Sequence, residues 1–338
     1  MKDIRDYSLK AHNTFGIEAR CRRFVEYASP EEARQVSAIL CADARVPYII
    51  IGGGSNLLLT RDFEGIVVRS AVTGLEVRQE GGDVLLTVGS GENWDRLVDH
   101  CVASGWYGME NLSLIPGDVG ASAVQNIGAY GSEAKDLIVD VQAVDISSGR
   151  LVTLAASDCL FGYRDSRFKH EWKNRYLITS VTYRLSTTFA PRLDYGNIRA
   201  ELHRQAITEP TARQLRDTII SIRQAKLPDP AVEGNAGSFF MNPIVSRSKY
   251  EQLAALYEGM PHYDVDDGHV KIPAGWMIEQ CGWKGRSLGR AGVHSRQALV
   301  LVNRGGATGA EVLQLCEAIR SDVNRKFGID IHPEVNII

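Results

Sequence analysis

No stretch of this 338-residue chain is apolar for long enough to cross a bilayer. The longest apolar runs, at 46–51 and 298–302, are strand-length, whereas a spanning helix needs ~20 residues. The opening residues, MKDIRDYSLKAHNTFG, carry charge throughout and show no signal-peptide core, so a cytoplasmic location is expected. Cysteine is sparse: six residues, at 21, 41, 101, 159, 281 and 316, with no CxxC pair and no regular spacing. That excludes a disulfide framework and a cysteine-based zinc site, so reduced thiols and no metal are expected. Positive charge is not in excess either. Lys and Arg total 38 against 41 Asp and Glu, a net charge of −3, and the cations are scattered. A nucleic-acid binder would show a basic face, so no nucleic-acid partner is expected.

What remains is the composition of an ordinary globular protein, 44% hydrophobic and 23% charged, long enough for two or three domains. Three regions can be read along it. Residues 1–70 form a small α/β unit. Ser29, Pro30 and Glu32 supply an N-cap, a first-turn proline and a capping-box acid, and Val36, Ile39 and Leu40 share one helical face. A strand at 47–51 then runs into Gly52, Gly53 and Gly54, with a further strand at 57–59. Residues 71–210 alternate strands, such as 84–88, with a helix whose face is Trp94, Leu97, Val98, Cys101 and Val102 and whose terminator is Gly105. The glycine-rich stretch 116–131 breaks this periodicity and is expected to be an extended loop. Residues 211–328 begin with a polar helix that stops at Leu227-Pro228-Asp229-Pro230. They end with one capped by Thr308 and Glu311, buried through Val312, Leu315, Cys316, Ile319 and Val323, and closed by Gly328. The β-prone tail, 329–338, is expected to return as a strand to the second region.

Five segments hold candidate chemistry. The first is Gly52-Gly53-Gly54-Ser55-Asn56-Leu57. It is not the dinucleotide fingerprint, because Leu57 stands where the third glycine of GxGxxG belongs, and no Gly-Lys pair supports a P-loop. Consecutive glycines can still converge backbone N–H groups on a diphosphate, although a tight turn is the simpler reading. The second runs from Pro116 to Gly131 and holds four glycines and three alanines. So many small side chains suit a backbone lying flat on a planar ligand or a phosphate chain. The third contains Arg164, between Tyr163 and Asp165. In the fourth, Ser238 stands between Gly237 and two phenylalanines. No Gly-x-Ser-x-Gly elbow is present, so Ser238 is not read as a hydrolase nucleophile. The fifth puts Glu334 in an apolar tail, where burial beside Val335, Ile337 and Ile338 would raise its pKa.

In this order, the five segments resemble the UDP-N-acetylenolpyruvoylglucosamine reductase family, over nearly the whole chain from Asn13-Thr14-Phe15 to Pro333-Glu334-Val335. The resemblance implies an α+β protein of the FAD-linked oxidase (PCMH/VAO) type. Two α/β subdomains, 1–70 and 71–210 with 329–338, would hold FAD, and a third, 211–328, would cover the substrate. Asp194-Tyr195-Gly196 looks like the tyrosine-bearing loop of the family's longer form. Matched residue by residue, Gly52, Gly53, Gly54, Ser55, Asn56 and Leu57 would bind FAD. So would Pro116, Gly117, Gly120, Ser122, Asn126, Gly128, Ala129, Tyr130 and Gly131. Ser238 matches the proton donor, and Arg164 and Glu334 match the pair that stabilises the reduced intermediate. Tyr195, Lys226, Asn242, Tyr263, Lys271 and Gln297 match positions that hold the UDP-sugar. NADPH is implied as reductant, UDP-N-acetylglucosamine enolpyruvate as small-molecule substrate, and a cytoplasmic monomer as the working form.

Two other readings compete. A flavin-dependent sugar or alcohol oxidase would share the scaffold, but many such enzymes attach the flavin through His or Cys. None occurs near the glycine run, with no His from 13 to 99 and no Cys from 42 to 100, so FAD is expected to be non-covalent. A nucleotide-sugar binding module would explain the glycine loops but gives no reason for Arg164, Ser238 and Glu334.

Overall fold

Ser29 accepts a hydrogen bond from Glu32 N at 3.2 Å and opens the helix Pro30–Ala42. Glu32 closes the cap one residue further back than expected, on Ala28 N. The computed structural model describes residues 1–43 and 45–338. They form two compact units. The first comprises Met1–Tyr7, Cys21–Gly53 and Glu64–Ala225, the second Ser8–Arg20, Gly54–Phe63 and Lys226–Ile338.

In the first unit a four-stranded sheet has the order Lys2–Ser8, Arg20–Tyr27, Phe63–Ser70, Tyr48–Ile51, the last two parallel. Helix Pro30–Ala42 buries Ala33, Val36 and Leu40 among Val25, Tyr27 and Val68. A five-stranded antiparallel sheet follows in the order Leu151–Ala155, Ile138–Asp145, Tyr176–Ser186, Asp83–Gly89, Leu75–Glu80. On it lies helix Trp94–Ser104, its expected apolar face wholly buried and its end turned by Gly105 at φ 74°. The polar helix Ala212–Lys226 also packs in this unit. Leu215, Ile219 and Ile222 meet Ile198 and Leu202, while buried Arg216 grips Asp95 at 2.7 and 3.1 Å.

The glycine-rich stretch corrects the sequence reading: it is not one extended loop. Residues Val119–Gln125 form a helix, and Gly128–Ala129 pairs with Ser132–Glu133 in a small hairpin. Small residues serve close packing here. A Cβ at Gly120 would lie 2.9 Å from Ser90 Cβ, and Asn126 at φ 43° ends the helix.

The second unit holds an antiparallel sheet ordered Asn235–Ser238, Val300–Asn303, Ala291–Val293, Ser287–Leu288. A three-stranded sheet is ordered Ile244–Ser246, His269–Lys271, Tyr263–Asp264. Helix Gly309–Phe327, with the expected capping box of Thr308 and Glu311, covers a core that includes Phe239, Met277 and Leu301. The tail strand Asn336–Ile337 pairs in parallel with Leu57–Leu58 of this same unit. It does not join the five-stranded sheet, where a strand from 329–338 was expected.

Candidate active site

In the first unit, Gly52 and Gly53 lie directly against the second small-residue segment. A Cβ at Gly53 would meet Gly117 Cα and Asp118 Oδ1 at 3.2 Å, and one at Gly52 would meet Ala121 Cβ at 3.3 Å. The two segments thus form one backbone surface almost without side chains, which suits a diphosphate approaching closely. Behind it sits Asp118, buried, with Arg69 Nη2 at 3.4 Å and Glu26 on the other arm of Arg69 at 2.9 Å. Burial pushes the Asp118 carboxyl up, and Arg69 opposes the shift.

Two expected FAD ligands have their side chains committed elsewhere. Ser122 is fully buried, its Oγ 2.7 Å from the Tyr183 hydroxyl. Asn126 is also fully buried. It donates to Gly162 O at 2.7 Å and to Glu133 Oε2 at 3.1 Å, and accepts from Lys135 N at 3.0 Å. Both hold the fold of the segment whose backbone forms the surface. Pro116 is exposed at its start.

The hairpin carrying Gly128, Ala129, Tyr130 and Gly131 turns through two left-handed residues, Tyr130 at φ 48° and Gly131 at φ 77°, the I′ geometry that suits a two-residue loop. Asn111 donates to Tyr130 O at 2.8 Å. Arg164 donates from Nη2 to Gly128 O at 2.6 Å and is itself the left-handed tip, at φ 54°, of a turn closed between Gly162 and Asp165. A non-glycine residue in that region costs ~1 kcal/mol or more, and here it aims a guanidinium along the hairpin. The tyrosine loop arrives at the same place: a Cβ at Gly131 would touch Tyr195 Cβ at 3.2 Å. Tyr195 is 52% exposed and available to a ligand. Burial raises the Tyr130 phenol's pKa, and Arg223, hydrogen-bonded to it, opposes.

In the second unit the Ser238 and Glu334 segments run side by side. Glu334 N donates to Phe239 O at 2.8 Å, Met241 N to His332 O at 2.9 Å, and Phe240 bridges Pro333. Ser238 is exposed at the end of its strand, beside Gly237 at φ 69°, while Phe239 and Phe240 anchor the turn in the core. Glu334 is half-buried and Ile337 is exposed, so the tail is less enclosed than its apolar sequence suggests. Asn56 joins this cluster, donating to Glu334 O and accepting from Asn336 N. Ser55 is half-buried, Leu57 is buried, and Gly54 is in the left-handed region at φ 68°. Tyr263 and Lys271 face each other across paired strands, the ammonium 5.8 Å from the ring centre. Asn242 accepts from Ala274 N at 2.9 Å, Gln297 accepts from Leu299 N at 3.2 Å, and Lys226 is exposed. Three residues at these places were missed from sequence: Arg69 and Asp118 behind the glycines, and Arg223 beside Tyr130.

Residues 24–155 match the FAD binding domain family, and 229–338 match the UDP-N-acetylenolpyruvoylglucosamine reductase C-terminal domain. The fold is that of an FAD-dependent oxidoreductase of the PCMH/VAO-type architecture, as expected. UDP-N-acetylenolpyruvoylglucosamine reductase of Bacteroides fragilis strain YCH46 is 55% identical over 335 residues, covering 98% of this chain and 99% of its own. That of Burkholderia multivorans is 47% identical, with 98% and 95% covered. The crystal structure of the reductase from Thermus caldophilus superposes with a TM-score of 0.69 at 20% identity, covering 99% and 98% of the two chains. The chain belongs to the UDP-N-acetylenolpyruvoylglucosamine reductase family.

Proposed function

We propose that this protein reduces UDP-N-acetylglucosamine enolpyruvate to UDP-N-acetylmuramate, with NADPH as electron source, in the synthesis of peptidoglycan precursors. The observation that carries this reading is the 55% identity across 98% of the chain to a reductase of that name. The non-covalently bound FAD would rest on the backbone of Gly52–Leu57 and of Pro116–Gly131. When bound, the flavin supplies a hydride for the vinyl carbon of the substrate. Negative charge then develops towards the substrate carboxylate, where the Arg164 guanidinium can accept it as a two-pronged donor. Glu334 assists when protonated or through water, since a bare carboxylate would repel that charge. Ser238 Oγ delivers the proton to the carbon next to the ether oxygen, for which its exposed position beside Glu334 is suited. Tyr195, Lys226, Asn242, Tyr263, Lys271 and Gln297 would hold the UDP-sugar. Among the described residues no helix is long and apolar enough to cross a membrane. A nucleotide sugar and NADPH are cytoplasmic solutes, so we place the enzyme there, as a monomer.

Ser238→Ala tests the assignment. Flavin bleaching by NADPH needs no hydroxyl and should be nearly unchanged in stopped flow. Reoxidation by the enolpyruvyl sugar should slow by ~10²–10⁴-fold. Near-normal reoxidation sinks the proton-donor role. A wild-type protein whose reduced flavin ignores the enolpyruvyl sugar sinks the whole reading.

A further inference from the structure

Asn126 and Ser166 fix the two ends of the turn that carries Arg164. Asn126 Nδ2 donates to Gly162 O at 2.7 Å, and Ser166 Oγ donates to Val124 O at 2.6 Å. Between them the turn closes on itself, Gly162 N to Asp165 O at 2.9 Å and Asp165 N to Gly162 O at 3.2 Å. Its tip, Arg164, is nonetheless left-handed at φ 54°. A non-glycine residue takes that conformation at a disadvantage of roughly 10-fold. A hydrogen bond at the long end of the range, such as that of Asp165 N, offsets little of it.

The stronger tie comes from outside the turn. Lys169 Nζ donates to Arg164 O at 2.8 Å. Where that carbonyl points follows from the φ and ψ of Arg164, so a donor fixed on it favours the conformation seen. Lys169 is well placed to be such a donor. It ends the short helical turn Arg167–Lys169, whose Phe168 is buried edge-on to Trp172, ring centres 5.2 Å apart. Its own N–H donates to Ser166 O at 3.0 Å. The acid beside Arg164, Asp165, is held by His170 Nε2 at 2.8 Å, which leaves the Lys169 ammonium to the carbonyl. A hydrogen bond from a charged donor is worth roughly 10–100-fold, enough to outweigh the left-handed disadvantage.

We propose that Lys169 is a positioning residue for the reaction: its ammonium fixes the backbone of Arg164 in the left-handed turn and so aims the guanidinium. The proposal rests on the role given to Arg164 above. Lys169 itself meets neither substrate nor cofactor. It acts through the Arg164 carbonyl, while Gly128 O receives Arg164 Nη2 at the far end of the side chain.

The test uses the flavin-loaded enzyme with Lys169→Met, which keeps the stem and removes the donor, and Lys169→Arg, which keeps a charged donor. Hydrogen exchange read by mass spectrometry reports the turn through the amides of Gly162 and Asp165, independently of turnover. Stopped flow reports the two half-reactions. In Lys169→Met those amides should exchange ~10-fold faster, and reoxidation by the enolpyruvyl sugar should slow ~10-fold, the loss of a charged hydrogen bond. Flavin bleaching by NADPH, which does not use Arg164, should be unchanged. Lys169→Arg should recover most of both losses. Lys169→Gln, an uncharged donor, should lie between Met and wild type, and it decides the matter if the Met variant does not fold. Unchanged exchange overturns the tie, and faster exchange with normal reoxidation overturns the positioning role. So does an equal slowing of both half-reactions, the mark of general damage. A wild type whose reduced flavin ignores the sugar sinks the functional reading and the positioning role with it, while the exchange result still judges the tie.

Discussion

Ser122 and Tyr183 offer a direct test of what the small-residue segment is for. Their hydroxyls are 2.7 Å apart, and both residues are completely buried. Burial raises the Tyr183 phenol's pKa, so it stays neutral and able to donate across the working pH range. Ser122→Ala leaves the phenol without this partner, and Tyr183→Phe leaves the serine without its own. Each orphaned buried hydroxyl costs ~1–3 kcal/mol. For a unit of this size that is a drop of roughly 3–10 °C in the unfolding midpoint. Removing both hydroxyls removes both unmet groups, so the double variant should be more stable than the sum of the singles implies, by ~1 kcal/mol or more. Thermal unfolding followed by circular dichroism gives the cycle, and flavin absorbance per protein gives the cofactor content. On the structural account, all three variants keep full flavin content at low temperature. Additive losses across the cycle would refute the pairing. Flavin loss in Ser122→Ala with an unchanged midpoint would return Ser122 to the cofactor.

Arg164→Lys keeps the charge but loses the fork and the Gly128 contact, so kcat should fall more than KM rises, and equal changes would mean a plain binding role. Gly54→Ala would put a Cβ 1.9 Å from the His12 carbonyl oxygen at φ 68°, so a loss of at least ~3 kcal/mol is expected in urea unfolding. Gly237→Ala, at φ 69° with open space, should lose only ~1 kcal/mol, and similar losses at both sites would contradict the clash. Buried His294 has its pKa lowered by burial, then by Arg296 and Arg304, against the pull of Glu233. The unfolded chain therefore takes up this proton first, and stability should fall as pH drops below about 6.5, a slope that His294→Gln flattens in urea titrations at successive pH values.

The parts of the fold that could be read from sequence are those whose signal is local. Helix Trp94–Ser104 announces itself through large apolar residues at helical spacing, and helix Gly309–Phe327 through a capping box and a terminal glycine. Helix Val119–Gln125 has the same geometry but is only seven residues long, and besides Val119 its buried face is Gly120, Ser122 and Ala123, too little apolar bulk to show a periodicity. Its sequence reads as loop because close approach at Gly120 adds to the single large apolar anchor, Val119, in holding it down. Pairing partners were hidden for another reason. Nothing in Asn336–Ile337 specifies Leu57–Leu58 over any other exposed edge, because strand register is a property of the whole fold.

The site divides along the same line. Residue types that chemistry requires could be picked out one by one, but whether a side chain is free for a ligand depends on neighbours distant in sequence. Ser122 and Asn126 look like ligands and are already bonded within the protein. Arg223 looks like part of a solvated helix face and is half-buried instead, its Nε shielded from solvent. A trace of this was present in the helix. Leu215, Arg216, Ile219 and Ile222 form one buried stripe at helical spacing, and half-buried Arg223 flanks it. Asp95 and Asp99, one turn apart, satisfy Arg216. An arginine on an apolar stripe needs a counter-charge. Asp95 and Asp99 meet that need for Arg216, whereas Arg223, only half-buried, keeps part of its side chain in water.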